Sequence, residues 1–421
     1  MVRKAYFPRI ADAELKELLS SSGAVLIEGA KWCGKTRMAH EMSRSALFMQ
    51  DPDRNKDYLQ WANNRPSILL QGETPRLIDE WQIAPVLWDA VRFAIDQRAE
   101  RGQFILTGSA VPAEGATMHT GTGRIARLRL RPMSLFESKE SCGSVSLKAL
   151  FDGQTEVEGT SALDIPDLAQ AICRGGWPEA VVSNDRSNSV AKNYTEAITR
   201  IDIQRLDGVE RDSHRAHRLL HSYARNLSTL ASLKTIQADV TGSEVSIKDS
   251  TLYSYINAFR KIFVIEDVPA WLPRIQSKTA MRASEKRQLT DPSIATAILR
   301  IRPEKLLEDF TYFGFLFESL CTRDMRVYAQ ANDGQVFHYH DRNDLEADMI
   351  VELADGRWAA IEVKLGSSEI DEAAANLLKL AEKVDKGIMG NPSFLMVLTG
   401  GSIAYRRKDG LLVVPVGCMK Q

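Results

Sequence analysis

Two stretches of this sequence combine residue types and spacings suited to binding phosphate or metal ions. The first, Gly29-Ala30-Lys31-Trp32-Cys33-Gly34-Lys35-Thr36, fits the P-loop pattern G-x-x-x-x-G-K-[ST]. The apolar run 24–27 precedes it and a helix-compatible segment, 37–43, follows it, which is the strand–loop–helix context that the pattern requires. Glycines let backbone N–H groups curl round phosphates, Lys35 meets the β/γ-phosphate charge, and the Thr36 hydroxyl can ligate Mg²⁺. The stretch predicts a site for ATP and Mg²⁺ formed by residues 29–36 and the adjacent Arg37.

A second strand-like segment, Arg76-Leu77-Ile78, is followed by the two acids Asp79 and Glu80. In a P-loop ATPase such a strand supplies one carboxylate that holds Mg²⁺, directly or through water, and one that polarises the attacking water. Alone, the run would equally be a strand end with solvated acids. At this distance from a P-loop we predict that Asp79 is the cofactor and metal residue and that Glu80 is catalytic.

Arg124 follows glycines and precedes a strand in which arginines alternate with leucines from residue 127 to residue 131. The alternation places three guanidinium groups on one side of the strand and the leucines in the core. A planar, permanently charged fork suits a γ-phosphate, so Arg124 is a candidate arginine finger. A surface ion pair is the alternative.

The second chemical stretch lies near the C terminus. The pattern predicts a helix over 312–322, strands over 336–340, 347–353 and 358–365, a helix over 369–384 and a strand over 394–398, with a hairpin turn at Asp355-Gly356. This αβββαβ order, with Asp348, Glu362 and Lys364, reproduces the D…E-x-K constellation of PD-(D/E)XK nucleases. Strand period places Glu362 and Lys364 on one face, and the hairpin carries Asp348 alongside.

Two carboxylates at this place could chelate Mg²⁺, while the lysine orients water or stabilises developing charge during phosphodiester attack. We therefore predict Asp348 and Glu362 as metal ligands, Glu318 as an additional one, and Glu362 and Lys364 as catalytic. The alternative is an ordinary strand face that bears Glu and Lys. The fold also serves in binding modules that do not cleave.

Between these stretches the chain predicts a connector, which begins with an irregular excursion over 142–161 rich in Gly, Ser, Thr and Glu, and a DNA-binding unit. Helices over 233–240 and 249–262, joined by a Gly-containing turn and followed by a strand over 263–268, have the plan of a winged helix. The second helix would be the reading helix, and its possible contacts are one cation, Lys248, and the polar residues Ser250, Thr251, Ser254, Tyr255 and Asn257. Arg274, Lys278, Arg282, Lys286 and Arg287 could supply charge for a DNA backbone. A winged helix used for protein packing is the competing interpretation.

The bulk composition fits a soluble protein of several domains. The 421 residues are 44% hydrophobic and 26% charged, with a net charge of -1, which excludes global disorder and a uniformly basic coat. Five scattered cysteines without C-x-x-C spacing argue against structural zinc and a disulfide framework. No apolar run is long enough to span a bilayer and no signal peptide is evident, so we expect a cytoplasmic protein without membrane partners.

The motifs GAKWCGKT, RLIDEWQ, FILTGSA and GRIARLRLRPMSLFE, with Gly175-Gly176-Trp177-Pro178-Glu179 further on, resemble one family over nearly the whole chain. This is the prokaryotic AAA-type ATPase family with a C-terminal restriction-endonuclease-like domain of unknown function. Lys31 stands where many relatives have Arg, which leaves the phosphate-binding residues intact. The resemblance implies that Thr107 or Ser109, after a third strand between the two core strands, contacts the γ-phosphate or the water. Capping of the strand end is the alternative role.

The resulting prediction is an α/β protein: an AAA-type P-loop core (1–140), a helical connector (141–215), a winged-helix-like domain (216–303) and a nuclease-like domain (304–421). We expect ATP hydrolysis, a homo-oligomer, and action on DNA, with RNA as an open alternative. Two hypotheses follow for the C-terminal domain. It is an ATP-regulated, Mg²⁺-dependent nuclease, or it is a non-cleaving module that binds DNA or protein under control of a nucleotide switch.

Overall fold

The computed structural model describes residues 6–108, 122–205, 209–241, 248–273 and 284–421. The chain divides into two compact units. The first comprises 1–132, 200–211 and 257–264, and the second comprises 133–199, 212–256 and 265–421. This division does not isolate 141–215 or 216–303 as units of their own, and the four-domain boundaries stay a prediction.

The first unit is an α/β layer structure around a parallel sheet. Its helices are α1 (Ala11–Ser21), α2 (Lys35–Met42), α3 (Asn55–Asn64) and α4 (Val86–Arg98). Its strands are β1 (Ala24–Glu28), β2 (Ser45–Phe48), β3 (Arg76–Asp79), β4 (Phe104–Gly108) and β5 (Ile125–Arg129). The strand order is β2-β3-β4-β1-β5, with every neighbouring pair parallel. Because helices cover such a sheet, β1 and β4 read as almost continuous apolar runs.

Parallel pairing brings the chemically important strand ends together at one edge of this sheet. The P-loop follows β1, Asp79 closes β3, and Thr107 lies one residue before the end of β4. Strand β4 lies between β1 and β3, with Thr107 paired to Ile27 on one side and to Asp79 on the other. The inserted third strand is thus confirmed. The carboxyl edge of an open α/β sheet is where such folds bind ligands.

The second unit contains most of the remaining helices and a large mixed sheet. Its helices are α5 (Leu147–Phe151), α6 (Ile165–Arg174), α7 (Pro178–Ser183), α8 (Ser189–Ala197), α10 (Ser213–Arg225), α11 (Leu233–Thr241), α13 (Pro292–Ile298), α14 (Pro303–Leu306), α15 (Phe310–Gln330), α16 (Ile370–Lys383) and α17 (Lys386–Met389). The short helix α9 (Ile203–Arg205) belongs to the first unit, and α12 (Asp249–Lys261) begins in the second unit and ends in the first.

The strands of the second unit are β6 (Val145–Ser146), β7 (Gly159–Thr160), β8 (Gly334–His340), β9 (Glu346–Leu353), β10 (Trp358–Lys364), β11 (Leu395–Thr399), β12 (Ile403–Arg406), β13 (Leu412–Pro415) and β14 (Met419–Lys420). Seven of them form one sheet in the order β7-β12-β13-β11-β10-β9-β8. Strands β8, β9 and β10 are antiparallel neighbours, and β11 joins β10 in parallel after α16. The predicted αβββαβ order from α15 to β11 is therefore present.

The predicted hairpin turn joins β9 to β10. The Leu353 N–H donates to the Arg357 carbonyl oxygen at 2.8 Å, and Gly356 has φ of +87°. A left-handed residue is what this kind of turn requires, which explains the glycine. The turn fixes the register that places Met349 opposite Ile361. Asp348 and Glu362 are the next residues along their strands, and so lie at the same level of the sheet.

The segment from Cys142 to Ser161 corrects the sequence interpretation. We expected an irregular excursion, yet it contains β6, α5 and β7. Strand β6 pairs with β14 at the C terminus, and β7 pairs with the edge strand β12. Each strand has two residues and a partner more than 200 positions away, so local periodicity carries no signal for it.

The predicted winged helix is present only in part among the described residues. Helices α11 and α12 are found, and the predicted strand over 263–268 is reduced to two isolated antiparallel bridges, Ile265 with Leu289 and Val268 with Lys286. Tyr255, a predicted contact of the reading helix, is buried, and its hydroxyl accepts from the Asp212 N–H at 2.8 Å. It serves packing, so the prediction of a DNA contact at Tyr255 is wrong.

The Gly175-Gly176-Trp177 element is a structural junction within the second unit. The Met133 N–H donates to the Gly176 carbonyl at 2.6 Å, and the Gly176 N–H donates to Asp291 at 3.0 Å. A Cβ at Gly176 would lie 2.2 Å from the Met133 oxygen, so no other residue fits this approach. Trp177 is fully buried and its indole N–H donates to the Ser293 hydroxyl at 2.9 Å.

Candidate functional site

The P-loop has the backbone geometry that its glycines predict. Gly29 has φ of +151°, and a Cβ there would lie 2.0 Å from the Leu130 carbonyl oxygen. Gly34 has φ of +104° and precedes the first residue of α2. Only glycine takes both conformations without strain. The loop therefore delivers the N-terminus of α2, with its first-turn N–H groups and positive dipole end, to the edge of the sheet.

Lys35 is buried at the start of α2, with its ammonium group turned back onto the loop. Its Nζ donates to the carbonyl oxygens of Gly29 and Ala30, each at 2.9 Å. Both partners are neutral, so the positive charge is not cancelled by a side chain at this place. A group placed in this way can exchange carbonyl contacts for the oxygens of a phosphate.

Asp79 connects the P-loop with the third strand of the site. One of its carboxylate oxygens, Oδ1, accepts from the Thr36 hydroxyl at 2.8 Å and from the Thr107 hydroxyl at 2.5 Å. A hydroxyl and a carboxylate side by side are hard oxygen donors of the type that Mg²⁺ prefers beside nucleotide phosphates. The residues therefore fit Mg²⁺ at Thr36 and Asp79. Ser109 lies outside the described residues, and contact of Thr107 with the γ-phosphate or the water stays a prediction.

Glu80, the next residue, has an uncommon backbone conformation. Its φ of +55° and ψ of +47° are in the left-handed region, which costs an L-residue about 1–3 kcal/mol. Its carboxylate accepts from the Gln82 side-chain amide. Such strain persists where the surroundings hold a side chain in one direction, and it clusters at active sites. The geometry thus gives Glu80 a fixed position immediately beside Asp79.

The other predicted loop residues are either buried, paired with an acid or exposed. Cys33 is buried and its thiol lies 3.4 Å from the Leu130 carbonyl, consistent with a space-filling role. Lys31 forms an ion pair with Asp202 at 2.9 Å, and Arg37 forms one with Glu41 at 2.7 Å. Their side chains are thus engaged away from the loop, and any contact of these residues with ATP stays a prediction. The same holds for Ala30, which is buried, and for Trp32, which is 44% exposed.

Arg9 supports the loop and was missed by sequence reasoning. Its buried guanidinium donates to the carbonyl oxygens of Cys33 at 2.9 Å and of Arg131 at 2.8 Å. Arg9 thereby ties the P-loop to the segment that follows β5. An isolated arginine ahead of an amphipathic helix carries no motif, so no signal in the sequence could have indicated this role.

Arg124 lies at the other edge of the sheet. It precedes β5, which runs parallel to β1, and its carbonyl accepts from the N–H of Ala24, the first residue of β1. The P-loop leaves the opposite end of β1, roughly 13 Å away. The Arg124 side chain is half-exposed and pairs with Asp96 at 2.9 Å. A contact between Arg124 and the P-loop of its own chain is therefore excluded.

In the second unit, the predicted acidic residues gather round one cavity of about 900 Å³. Glu318 comes from α15, Asp348 from β9 and Lys364 from the end of β10, and all three line the cavity together with Lys286. Glu362 lies next to them on β10, with one oxygen 3.4 Å from Lys364 Nζ. The structure thus brings together every C-terminal site residue that the sequence predicted.

Lys286 is the unexpected member of this cluster. Its buried Nζ lies 2.8 Å from Glu318 Oε1 and 3.0 Å from Asp348 Oδ1. We expected Lys286 and Arg287 to face a DNA backbone, and that prediction is wrong because both are buried and paired with acids. Arg287 is bound to Asp267 at 3.0 Å. Arg274, Lys278 and Arg282 lie outside the described residues.

Burial and neighbouring charges shift the pKa values of Glu318, Asp348 and Glu362 in different directions. Burial, reinforced by the charge of Asp348, raises the pKa of Glu318 to about 8 and that of Glu362 to about 9. Burial also acts on Asp348, but Lys286 and the Val363 N–H hold its pKa below the ordinary range. Burial disfavours the Lys286 ammonium, yet Asp348 and Glu318 raise its pKa above the usual value. At neutral pH these directions favour one ion pair, Lys286 with Asp348, beside two protonated glutamates.

The cluster was also tested against the Mg²⁺ that the sequence predicts there. Asp348 has one oxygen on Lys286 and the other on the Val363 N–H at 2.9 Å, and Glu318 is bound to Lys286. Among the described residues no group of three or more His, Cys, Asp or Glu side chains is placed to hold a metal ion. With Lys286 and the Val363 N–H bound to these oxygens, the cluster as it stands does not fit Mg²⁺, whereas Asp79 at the P-loop is bound to two neutral hydroxyl groups.

Among the residues that the structure describes, no helix is both long and apolar enough to cross a bilayer.

Comparison with known proteins gives the strongest result for the first unit. Residues 21–139 match a model of an AAA domain. Residues 165–305 and 313–419 match two domains of unknown function, DUF8612 and DUF4143. No curated protein sequence matches the chain.

Two solved structures are similar at low identity. A Walker-type ATPase of Pyrococcus abyssi is 15% identical, covers 70% of this chain and 97% of its own, and has a TM-score of 0.41. A chain from the structure of Drosophila ORC bound to DNA is 16% identical, covers 68% and 93%, and has a TM-score of 0.22. Neither score establishes a common fold for the whole chain. The match over residues 21–139 shows that the first unit contains an AAA-type P-loop domain, a family match that supports ATPase activity.

Proposed function

We propose that this protein binds ATP at residues 29–37 and hydrolyses it. The observation that carries the proposal is the meeting of Thr36, Thr107 and Asp79 at one edge of the sheet, beside Lys35. Phosphoryl transfer needs little beyond positioning and charge stabilisation, and these side chains supply both.

Each residue has a distinct task in this proposal. Lys35 binds the β/γ-phosphate oxygens in place of the loop carbonyls. Thr36 and Asp79 hold Mg²⁺, which when bound neutralises charge that develops on the phosphates. Thr107 keeps the Asp79 carboxylate in place, and Glu80, fixed by its backbone and by Gln82, orients the attacking water and accepts its proton.

Phosphate release from ATP tests this assignment. Lys35→Ala removes the charge that meets the phosphates and is expected to reduce ATP binding and to slow turnover about 10²- to 10³-fold. Glu80→Gln is expected to retain binding and to slow turnover about 10²- to 10⁴-fold. The matched control is Lys16→Ala, which removes an exposed lysine of α1 in the same unit. Unchanged turnover in both test variants would refute the site.

We further propose that the protein is a homo-oligomer in which Arg124 acts as an arginine finger on the ATP of a neighbouring subunit. What supports this is its exposed position at the edge of the sheet away from its own P-loop. Arg124→Ala is expected to lower turnover without weakening ATP binding, measured with Arg92→Ala as control, since Arg92 also pairs with Asp96. An equal fall in binding and turnover, or a strictly monomeric active enzyme, would oppose the finger.

For the second unit we propose action on nucleic acid, DNA in the first instance. The support is the αβββαβ order, with Asp348 and Lys364 at one cavity and Glu362 beside Lys364, the arrangement expected for a phosphodiester-cleaving site. In its cleaving form the domain is a Mg²⁺-dependent nuclease governed by the ATP cycle, which requires Lys286 to leave Glu318 and Asp348 so that the acids can bind the metal. Incubation with ATP, Mg²⁺ or Mn²⁺ and single- and double-stranded DNA and RNA should then break strands. The breakage should vanish in Asp348→Ala and Glu362→Ala.

The alternative is a nucleotide switch whose second unit binds DNA or protein without cleaving. A specific observation favours it: Lys286, not a third acid, lies between Glu318 and Asp348. This form predicts intact strands for every nucleic acid and an ATP-dependent complex in gel-shift assays. Intact strands throughout the panel would exclude the nuclease, while strand breakage that depends on Asp348 would exclude the alternative.

A further inference from the structure

Lys286 lies where two carboxylates of the second unit converge. Its Nζ is within hydrogen-bond distance of one oxygen of Glu318 and one oxygen of Asp348, and its side chain is 9% exposed. Two buried acids, one from a helix and one from a strand, whose oxygens converge within 3.0 Å of one point need a cation at that point. A divalent metal is one such cation, and an ammonium group is another.

The backbone of Lys286 fixes it in this position. Its N–H donates to the Val268 carbonyl at 2.9 Å, and the Val268 N–H donates back to the Lys286 carbonyl at 2.9 Å. The adjacent Arg287 is held by Asp267 at 3.0 Å. The ammonium group is therefore delivered from a paired segment whose next residue is also anchored, rather than from the end of an unrestrained chain.

The remaining acid oxygens do not form a second place for a metal. Asp348 Oδ2 accepts from the Val363 N–H, and Glu362 Oε2 lies 3.4 Å from the Lys364 ammonium. Glu362 Oε1 is buried and has no hydrogen-bond partner. Mg²⁺ requires about six oxygen ligands in a near-octahedral arrangement. With Lys286 in place, both oxygens of Asp348 and one oxygen of Glu318 are engaged, and the unpartnered Glu362 Oε1 does not by itself supply the set of ligands that Mg²⁺ requires.

We propose that Lys286 is the built-in cation of the Glu318–Asp348–Glu362 cluster and that it keeps divalent metal out of the second unit. The inference deepens the proposed function and rests on its second part, because it decides between the cleaving and non-cleaving forms. The domain then binds its partner without a metal at this cluster, and it does not cleave. The full chain binds Mg²⁺ with nucleotide at the P-loop alone.

Binding of Mn²⁺ without nucleotide tests this inference on the full chain, with free Mn²⁺ followed by electron paramagnetic resonance. Lys286→Met is expected to bind about one more Mn²⁺ per chain than wild type, since it leaves two facing acids without a cation. Adding Asp348→Asn to Lys286→Met should remove the gained ion. Because a buried methionine could disturb folding, Lys286→Gln is measured in parallel and is expected to gain the ion as well, more weakly.

The matched control is Lys364→Met, which removes the other ammonium group of the cluster but not the bridging one. Equal Mn²⁺ gain in Lys364→Met would show a general effect of charge and would overturn the bridging role. Wild type that already loses bound Mn²⁺ on Asp348→Asn, or folded Lys286 variants without any gain, would also overturn it. These readouts involve no nucleic acid, so a failure to bind DNA would sink the second part of the proposed function and leave the Mn²⁺ result standing.

Discussion

Two buried lysines, Lys35 and Lys286, stand at the two candidate sites of this protein, and their partners differ in charge. Lys35 is 6% exposed and Lys286 is 7% exposed. Lys35 donates to two backbone carbonyls, whereas Lys286 donates to the side-chain oxygens of two acids, the ionised Asp348 and Glu318. A lysine on neutral oxygens keeps its charge available to an incoming phosphate. The charge of a lysine that contacts an ionised acid is neutralised within the protein.

Asp79 and Asp348, the acids of the two sites, also differ in the charge of their hydrogen-bond partners. Asp79 accepts from two hydroxyl groups, which leave its negative charge uncancelled. Asp348 accepts from an ammonium group and a backbone N–H, which together hold its charge in place. The first arrangement is ready for a cation and the second already contains one. The contacts of each lysine therefore indicate its role. Lys35, on backbone carbonyls, is placed to bind a ligand, whereas Lys286, on acids, stabilises the fold.

Stability measurements should show the largest difference between the two lysines. Lys286→Met leaves buried acids without a cation and is expected to lower the free energy of unfolding by about 3–5 kcal/mol. Lys35→Met removes hydrogen bonds to neutral carbonyls and is expected to cost less than about 2 kcal/mol, although it disables ATP turnover. Urea denaturation followed by circular dichroism measures both.

A triple variant provides the control for this comparison. Lys286→Met with Asp348→Asn and Glu318→Gln removes the bridging cation together with both of its acidic partners, and should recover part of the lost stability. Similar destabilisation by Lys35→Met and Lys286→Met would show that the partners of the two lysines do not matter, and would break the comparison.

The sequence allowed the local elements of both sites to be predicted, because each one leaves a short-range signal. Apolar runs, the P-loop pattern and the acids at 79 and 80 indicated three strand ends, and β4 lies between β1 and β3 as expected. Alternation and the Asp355-Gly356 turn indicated the hairpin that carries Asp348 and Glu362. These predictions depend on residues within a few positions of one another.

The failures all concern partners that are distant along the chain. Lys286 was interpreted as a surface cation for DNA, because a charge in a sequence does not reveal burial. Its partners lie 32 and 62 residues further on. Strands β6 and β7 were not predicted for the same reason, because each has only two residues and pairs with a strand near the C terminus. Arg9 likewise contacts carbonyls 24 and 122 positions away.

The Gly175-Gly176-Trp177 element shows a third relation between sequence and structure. Its composition was conspicuous and formed part of the family resemblance, but the pattern did not reveal a role. In the structure Gly176 accepts close backbone approach by Met133, and Trp177 fills a buried position bonded to Ser293. The motif therefore marks residues that are important for packing of the second unit. The contacts described for these residues are all structural.

The smallest effect is expected for Lys364, the second ammonium group of the acidic cluster. Its side chain is 27% exposed and its contact with Glu362 is 3.4 Å long, so solvent screens much of the attraction. Lys364→Met should therefore lower the free energy of unfolding by at most about 1 kcal/mol, against the several expected for Lys286→Met. Urea denaturation of the two variants under identical conditions makes the comparison. A loss for Lys364→Met as large as that for Lys286→Met would mean that the cluster is held by its total positive charge. In that case the bridging position of Lys286, and with it the contrast to Lys35, would lose its significance.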